Sequence, residues 1–181
     1  MPETKILLSV FHPDLEKSRG NAKLFEAAKG IPNLSYRDMY LEYDGKYIDG
    51  ATEEIFLTEY DCFIFQYPMY WFGAPTLLSE WLERALARGF AWPPGEGDAL
   101  RGKKWMTVVT TAAPADEYTD APGSASMKTL LKPLELTAGY CQMEWLEPFV
   151  VHDVRAIDEG GLTDEALEQV AIRFRSVLEG L

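Results

Sequence analysis

Three segments of this chain combine residues that can hold an anion, flank a planar ring or donate hydrogen bonds. Each of them follows an apolar run. The first is His12-Pro13-Asp14-Leu15-Glu16-Lys17-Ser18-Arg19-Gly20-Asn21. Ser18, Gly20 and Asn21 offer hydroxyl, backbone and amide donors where a helical pattern begins. A helix N-terminus attracts anions through its unpaired N–H groups and its dipole. Lys17, Arg19, Lys23 and Lys29 add a local basic patch to an otherwise acidic chain. An ordinary helix cap, with His12 as a structural hydrogen-bonder, accounts for the same residues equally well.

The second segment, Pro68-Met69-Tyr70-Trp71-Phe72-Gly73-Ala74-Pro75, sets three large aromatics in a row after an apolar run. Contiguous exposed aromatic surface is unfavourable in water, so these rings either wall a planar ligand or close a core or subunit interface. In the third segment, Thr110-Thr111-Ala112-Ala113 leads to Tyr118. Its hydroxyls and backbone groups either bond a ligand edge or satisfy a turn.

The elements that must position these segments alternate. Strands are expected at Lys5 to Phe11, Leu34 to Arg37, Asp61 to Tyr67, Lys103 to Thr111 and Trp145 to Val151. Helices are expected at Asn21 to Lys29, around Ile55 and Phe56, from Pro75 to Ala87, from Met127 to Thr137 and from Thr163 onward. Pro133 should kink or interrupt the helix that contains it. Strand–helix alternation predicts an α/β fold with a parallel sheet covered on both faces. Five such units point to the flavodoxin-like doubly wound order 2-1-3-4-5, as one domain over residues 1–181. The loops after strands 1, 3 and 4 then meet where such sheets bind ligands, and these are the three segments above.

Composition narrows the classes further. Seventeen Lys and Arg against 29 Asp and Glu give a net charge of −12, which argues against general nucleic-acid binding. Seven acidic residues lie between Glu42 and Asp61, against Lys46 alone. Cys62 and Cys141 make no disulfide framework and suit core packing, and a reducing cytoplasm is the simplest setting. Met1 to Lys5 lacks the features of a signal peptide, and the apolar stretch from Cys62 to Leu78 is broken by Gln66, Pro68, Gly73 and Pro75. No membrane span is expected.

Taken in order, His12-Pro13, Ser18, Asn21, Tyr40 to Tyr43, Asp61 to Trp71, Pro75, Trp81, Gly89 to Trp92, Ala99 to Lys103, Thr110-Thr111, Pro133-Leu134 and Pro148-Phe149 with His152 carry a resemblance. The chain resembles the flavodoxin-like NAD(P)H:quinone oxidoreductases. It is most similar to the small bacterial branch that includes ancillary flavoproteins of glutathione-gated potassium efflux systems. The resemblance implies a flavin site, with FMN favoured over FAD by the short chain. It places His12 and Ser18, Arg19, Gly20 and Asn21 at the flavin phosphate and ribityl chain. It places Pro68, Met69, Tyr70 and Trp71 along the isoalloxazine, and Thr110, Thr111, Ala112 and Ala113 at its pyrimidine side. Tyr118 matches a tyrosine beside substrate and nicotinamide, and is the expected hydrogen-bond donor to the acceptor.

The implied activity is two-electron, ping-pong transfer from NAD(P)H to a quinone-like acceptor. Trp71, Phe90 and Trp92 are candidate pocket walls, and a homodimer is expected to cover the aromatic surface. A flavodoxin-type electron carrier is one alternative. A regulatory subunit on a potassium efflux transporter, peripheral to the inner face of the membrane, is another. Two positions depart from the family pattern. Ala112-Ala113 stands where paired glycines are common, and Ser124 stands where mammalian-type members carry histidine.

Overall fold

The run Ile6–Val10 (β1) is buried residue for residue, which requires cover on both faces. In the computed structural model, which describes residues 4–181, that cover comes from helices on either side of a parallel sheet. After β1 come α1 (Arg19–Ala28), β2 (Leu34–Asp38), α2 (Met39–Glu42) and α3 (Gly50–Glu59). The chain continues through β3 (Cys62–Pro68), α4 (Thr76–Ala85), β4 (Lys104–Thr110) and α5 (Met127–Tyr140). It ends with β5 (Glu144–Trp145), β6 (Phe149–Val151) and α6 (Asp164–Glu179). The sheet runs β2-β1-β3-β4-β5, and all its pairs are parallel. The expected doubly wound, flavodoxin-like order is therefore the observed one.

Side-chain alternation along the strands divides the core in two. Leu7, Phe63, Phe65, Trp105 and Val109 face one side and pack with Leu57, Leu78, Trp81, Leu131 and Ala138 from α3, α4 and α5. Ile6, Leu8, Val10, Ile64, Met106 and Val108 face the other side, under Leu24 of α1 and Val170, Phe174 and Leu178 of α6. Cys62 and Cys141 are both buried, as expected, and burial pushes the Cys62 thiol up to about 12, with nearby charges giving smaller effects.

The elements differ from expectation at three places. The fifth strand is split: β5 and β6 both pair with β4, separated by Leu146-Glu147-Pro148. Proline has no N–H to donate, so Pro148 suits a break in the ladder. The helix containing Pro133 is not interrupted and runs on to Tyr140, beyond the expected end at Thr137. In α3 the expected anchors are not the buried ones. Ile55 is exposed and Phe56 half-buried, whereas Leu57 and Glu53 are buried.

Glu53 is fully buried, and four donor groups converge on it. Arg37 on β2 binds it through Nη1 and Nη2, each at 2.7 Å. Trp81 Nε1 on α4 donates at 2.7 Å, and the Tyr43 hydroxyl donates as well. Arg37 also reaches Glu42 through Nε at 2.9 Å. The acidic stretch is thus not uniformly solvated, because one of its carboxylates ties β2, α3 and α4 together.

Candidate functional site

The loops after β1, β3 and β4 come together at the C-terminal ends of these strands, and buried polar side chains hold them there. Asn21 is 1% exposed, and its Nδ2 donates to Thr110 Oγ1 at 2.8 Å, joining the start of α1 to the end of β4. Gln66 Nε2 on β3 donates to the Asn21 backbone O at 2.8 Å and to Asn21 Oδ1 at 3.3 Å. The Asn21 side chain thus braces three elements. Gln66 was not among the expected site residues. A lone polar residue in the buried run Cys62–Pro68 was the signal for it.

At α1, Ser18 is the cap, and its Oγ accepts from Asn21 N at 3.1 Å. The N–H groups of Arg19 and Gly20 donate to no other group among the described residues. The expected basic patch is corrected. Lys17 pairs with Asp14, Arg19 with Asp164, Lys23 with Glu168 and Lys29 with Glu26. The Arg19 guanidinium also donates to the carbonyls of Arg155 and Leu162, so it fastens the loop before α6. His12 Nδ1 accepts from Asp14 N at 3.1 Å. Burial lowers the His12 pKa, against the opposing pull of Asp14 and Asp38, and favours the neutral ring.

Gly20 lies against this same loop. A β-carbon there would come within 2.8 Å of Val154 Cγ1. Gly20→Ala should cost about 1–3 kcal/mol through overpacking. Val154→Ala in the same chain should recover most of that loss in a denaturant melt. An uncoupled double-mutant cycle would show that the two residues do not compete for space.

The second loop is a two-residue hairpin. Tyr70 N bonds Gly73 O at 2.9 Å and Gly73 N bonds Tyr70 O at 3.0 Å. Between them Trp71 and Phe72 have φ of 48° and 66°. Positive φ at both central positions is the setting where Asn-Gly is normally found. Trp71 is nevertheless 95% exposed and Phe72 62%. Met69 N donates to Thr110 O at 2.8 Å and so anchors the hairpin to the third loop.

Together the second and third loops enclose a groove of about 620 Å³. Met69, Trp71 and Phe72 line it on one side and Ala112, Ala113 and Tyr118 on the other, with Glu117, Gly123 and Ser124 completing it. Phe90 and Trp92 do not line it. Both pack against the core, and Trp92 Nε1 bonds Leu86 O at 2.8 Å. Ala112 and Ala113 are not among the positive-φ residues, so the third loop turns without the conformation that would need glycine. Their N–H groups have no acceptor among the described residues. Ser124 Oγ donates to Glu117 O at 2.6 Å and steadies the loop that carries Tyr118.

Residues 4–176 match the family described as flavodoxin-like fold, and the chain belongs to that family. Among its relatives is the glutathione-regulated potassium-efflux system ancillary protein KefG of Pectobacterium carotovorum. It is 40% identical over 163 residues, covering 90% of this chain and 88% of the relative. The KefG protein of Escherichia coli strain K12 is 40% identical over 152 residues, covering 83% of this chain and 82% of that one. General stress protein 14 of Treponema denticola, solved in complex with FMN, superposes with a TM-score of 0.85 at 30% identity. That match covers 97% of this chain and 98% of the other.

Proposed function

We propose that this protein is one flavin-binding domain over residues 1–181, acting as an FMN-dependent oxidoreductase between NAD(P)H and a quinone-like acceptor. The carrying observation is the groove between Trp71-Phe72 and Ala112-Ala113. It is apolar on its walls, carries unpaired backbone N–H groups on one side, and has a size suited to a cofactor. The FMN complex of the 30% identical Treponema protein supports the choice of flavin. When bound, the flavin supplies two-electron hydride chemistry, which NAD(P)H and the acceptor would use in turn.

The chain's own residues define the rest. Ser18 and the free N–H groups of Arg19 and Gly20 hold the phosphate at the α1 N-terminus. His12, in the same loop, is assigned to the same group, and Asn21 supports the turn through its bond to Thr110. Pro68 to Trp71 would flank the ring, and the backbone N–H groups of Ala112 and Ala113, with Thr110 and Thr111, would serve its polar edge. Tyr118 presents a hydroxyl to the acceptor. A second copy of the chain covering Trp71 and Phe72 would exclude water from the groove.

Mixing the purified protein with FMN should give a yellow complex that anaerobic NADPH bleaches. A colourless protein after addition of both FMN and FAD would overturn the reading. Tyr118→Phe should keep its FMN but lose about 10- to 100-fold in quinone turnover, since one hydroxyl donor to developing charge is removed. Unchanged turnover would exclude Tyr118 from that role.

The 40% identity to KefG proteins favours a second reading, an ancillary subunit on a potassium efflux transporter at the inner face of the membrane. No helix among the described residues is long and apolar enough to cross a membrane, so such an association would be peripheral. Co-purification with a membrane-embedded efflux protein would support it.

A further inference from the structure

The third loop is held from the far side by a histidine that the proposed chemistry does not use. His152 directly follows β6, and its Nδ1 lies 2.8 Å from Thr111 Oγ1. Thr111 Oγ1 in turn donates to Ala113 O at 2.8 Å. The adjoining backbone makes the same connection. Asp153 N donates to Ala113 O at 3.3 Å and Val154 N to Thr111 O at 3.0 Å. The imidazole also lies against Tyr118, with ring centroids 5.1 Å apart and an angle of 32° between planes. One side chain thus touches both the turn that carries the Ala112 and Ala113 N–H groups and the tyrosine that follows it.

The direction of these bonds fixes the imidazole tautomer. A carbonyl can only accept, so the 2.8 Å contact between Thr111 Oγ1 and Ala113 O requires the single hydroxyl proton of Thr111. The Thr111 oxygen must then accept from His152, which places the imidazole proton on Nδ1. Reversing the pair would leave the Thr111 and Ala113 oxygens facing each other at 2.8 Å with no proton between them. Burial lowers the His152 pKa against the opposing effect of Asp153, which is itself paired with Arg155 at 3.2 Å. Neutral His152 therefore has its lone pair on Nε2. A proton taken up at lower pH goes to Nε2, and the Nδ1–H bond to Thr111 survives.

We propose that His152 is a positioning residue that sets the third loop through an Nδ1–H to Thr111 bond and braces the Tyr118 ring. It takes a place beside the tyrosine that Ser124 does not fill. Its effect on cofactor binding rests on the flavin reading above; its hydrogen bond does not.

Two arms of one experiment separate these. In the flavin-free protein, long-range ¹H–¹⁵N correlation in mildly alkaline buffer reads the His152 tautomer directly. With only two histidines in the chain, loss of a signal in His152→Asn assigns it. A proton on Nδ1 is expected, and a proton on Nε2 would overturn the proposal. The second arm compares His152→Asn, whose amide nitrogen can stand at the Nδ1 position, with His152→Phe, which keeps a ring against Tyr118 but has no donor. The Asn variant should hold FMN within about threefold of the parent, and the Phe variant should bind about tenfold more weakly. Amide exchange at Asp153 and Val154 should quicken in the Phe variant alone. Equal weakening of FMN binding in both variants, or equal exchange, would reduce His152 to packing and overturn the proposal. Should the parent take no flavin, the proposed function fails, while the tautomer and exchange still decide the role of His152.

Discussion

Glu53→Ala should lower the free energy of unfolding by about 3–5 kcal/mol, because it removes the buried one of the two carboxylates that pair with the Arg37 guanidinium and leaves only the more exposed Glu42. Arg37 is 8% exposed and Glu53 fully buried, so neither group has water to fall back on. The Trp81 N–H and the Tyr43 hydroxyl lose their acceptor in the same step. A urea melt should show a lower midpoint with little change of slope. A drop below about 1 kcal/mol would mean that solvent reaches Arg37 readily in the variant.

The same carboxylate gives the protein an acid limit. Burial pushes the Glu53 pKa up, but the hydrogen bonds from Arg37, Tyr43 and Trp81 and the Arg37 charge outweigh it and hold the pKa below the ordinary glutamate value. The stability this contributes is fully present above the unfolded-state pKa, about 4.3. It is lost as pH falls through the depressed folded value. Glu53→Gln, with no charge to protonate, should show a flatter stability profile over that acid range.

Exchanging Trp71-Phe72 for Asn-Gly should move stability and activity in opposite directions. Each aromatic now occupies a left-handed conformation that costs an L-residue roughly 1–2 kcal/mol. Asn-Gly is the pair this turn favours, so the variant should gain about 1–3 kcal/mol in a thermal or urea melt. With both rings removed from the groove, FMN or its substrates should bind roughly tenfold more weakly or worse. Strain held at so exposed a position fits a functional turn better than a structural one. Loss of stability instead would show that the rings support the fold.

Much of the frame was legible because its signals are local. The buried runs of β1, β3 and β4, and the amphipathic spacing of α6 with Leu167, Val170, Ala171, Phe174 and Leu178 on its buried side, follow directly from residue order. The topology then brought the three loops to one end of the sheet. What stayed hidden depends on partners far apart in sequence. Lys17, Arg19, Lys23 and Lys29 form a basic patch on paper, yet Arg19 and Lys23 meet acids on α6 that no local pattern reveals. Glu53 is one acid among seven until Arg37 and Trp81 are placed around it. The bond from Asn21 to Thr110 was hidden likewise, because the two residues are 89 positions apart. Trp92 and Phe90 read as pocket walls because aromatic residues near a loop look exposed, whereas both pack against the core.

The fastening of Arg19 has a consequence in time. Its partners Arg155 and Asp164 are 136 and 145 residues further along the chain. During synthesis at about 5–20 residues per second, the start of α1 therefore leaves the ribosome on the order of ten seconds before the groups that fix it. The loop at Ser18 to Asn21 is thus made well before the groups that secure it. A nascent chain therefore leaves the start of α1 unfastened until the segment leading into α6 has emerged, and the anion site proposed at Ser18 to Asn21 would be complete only then.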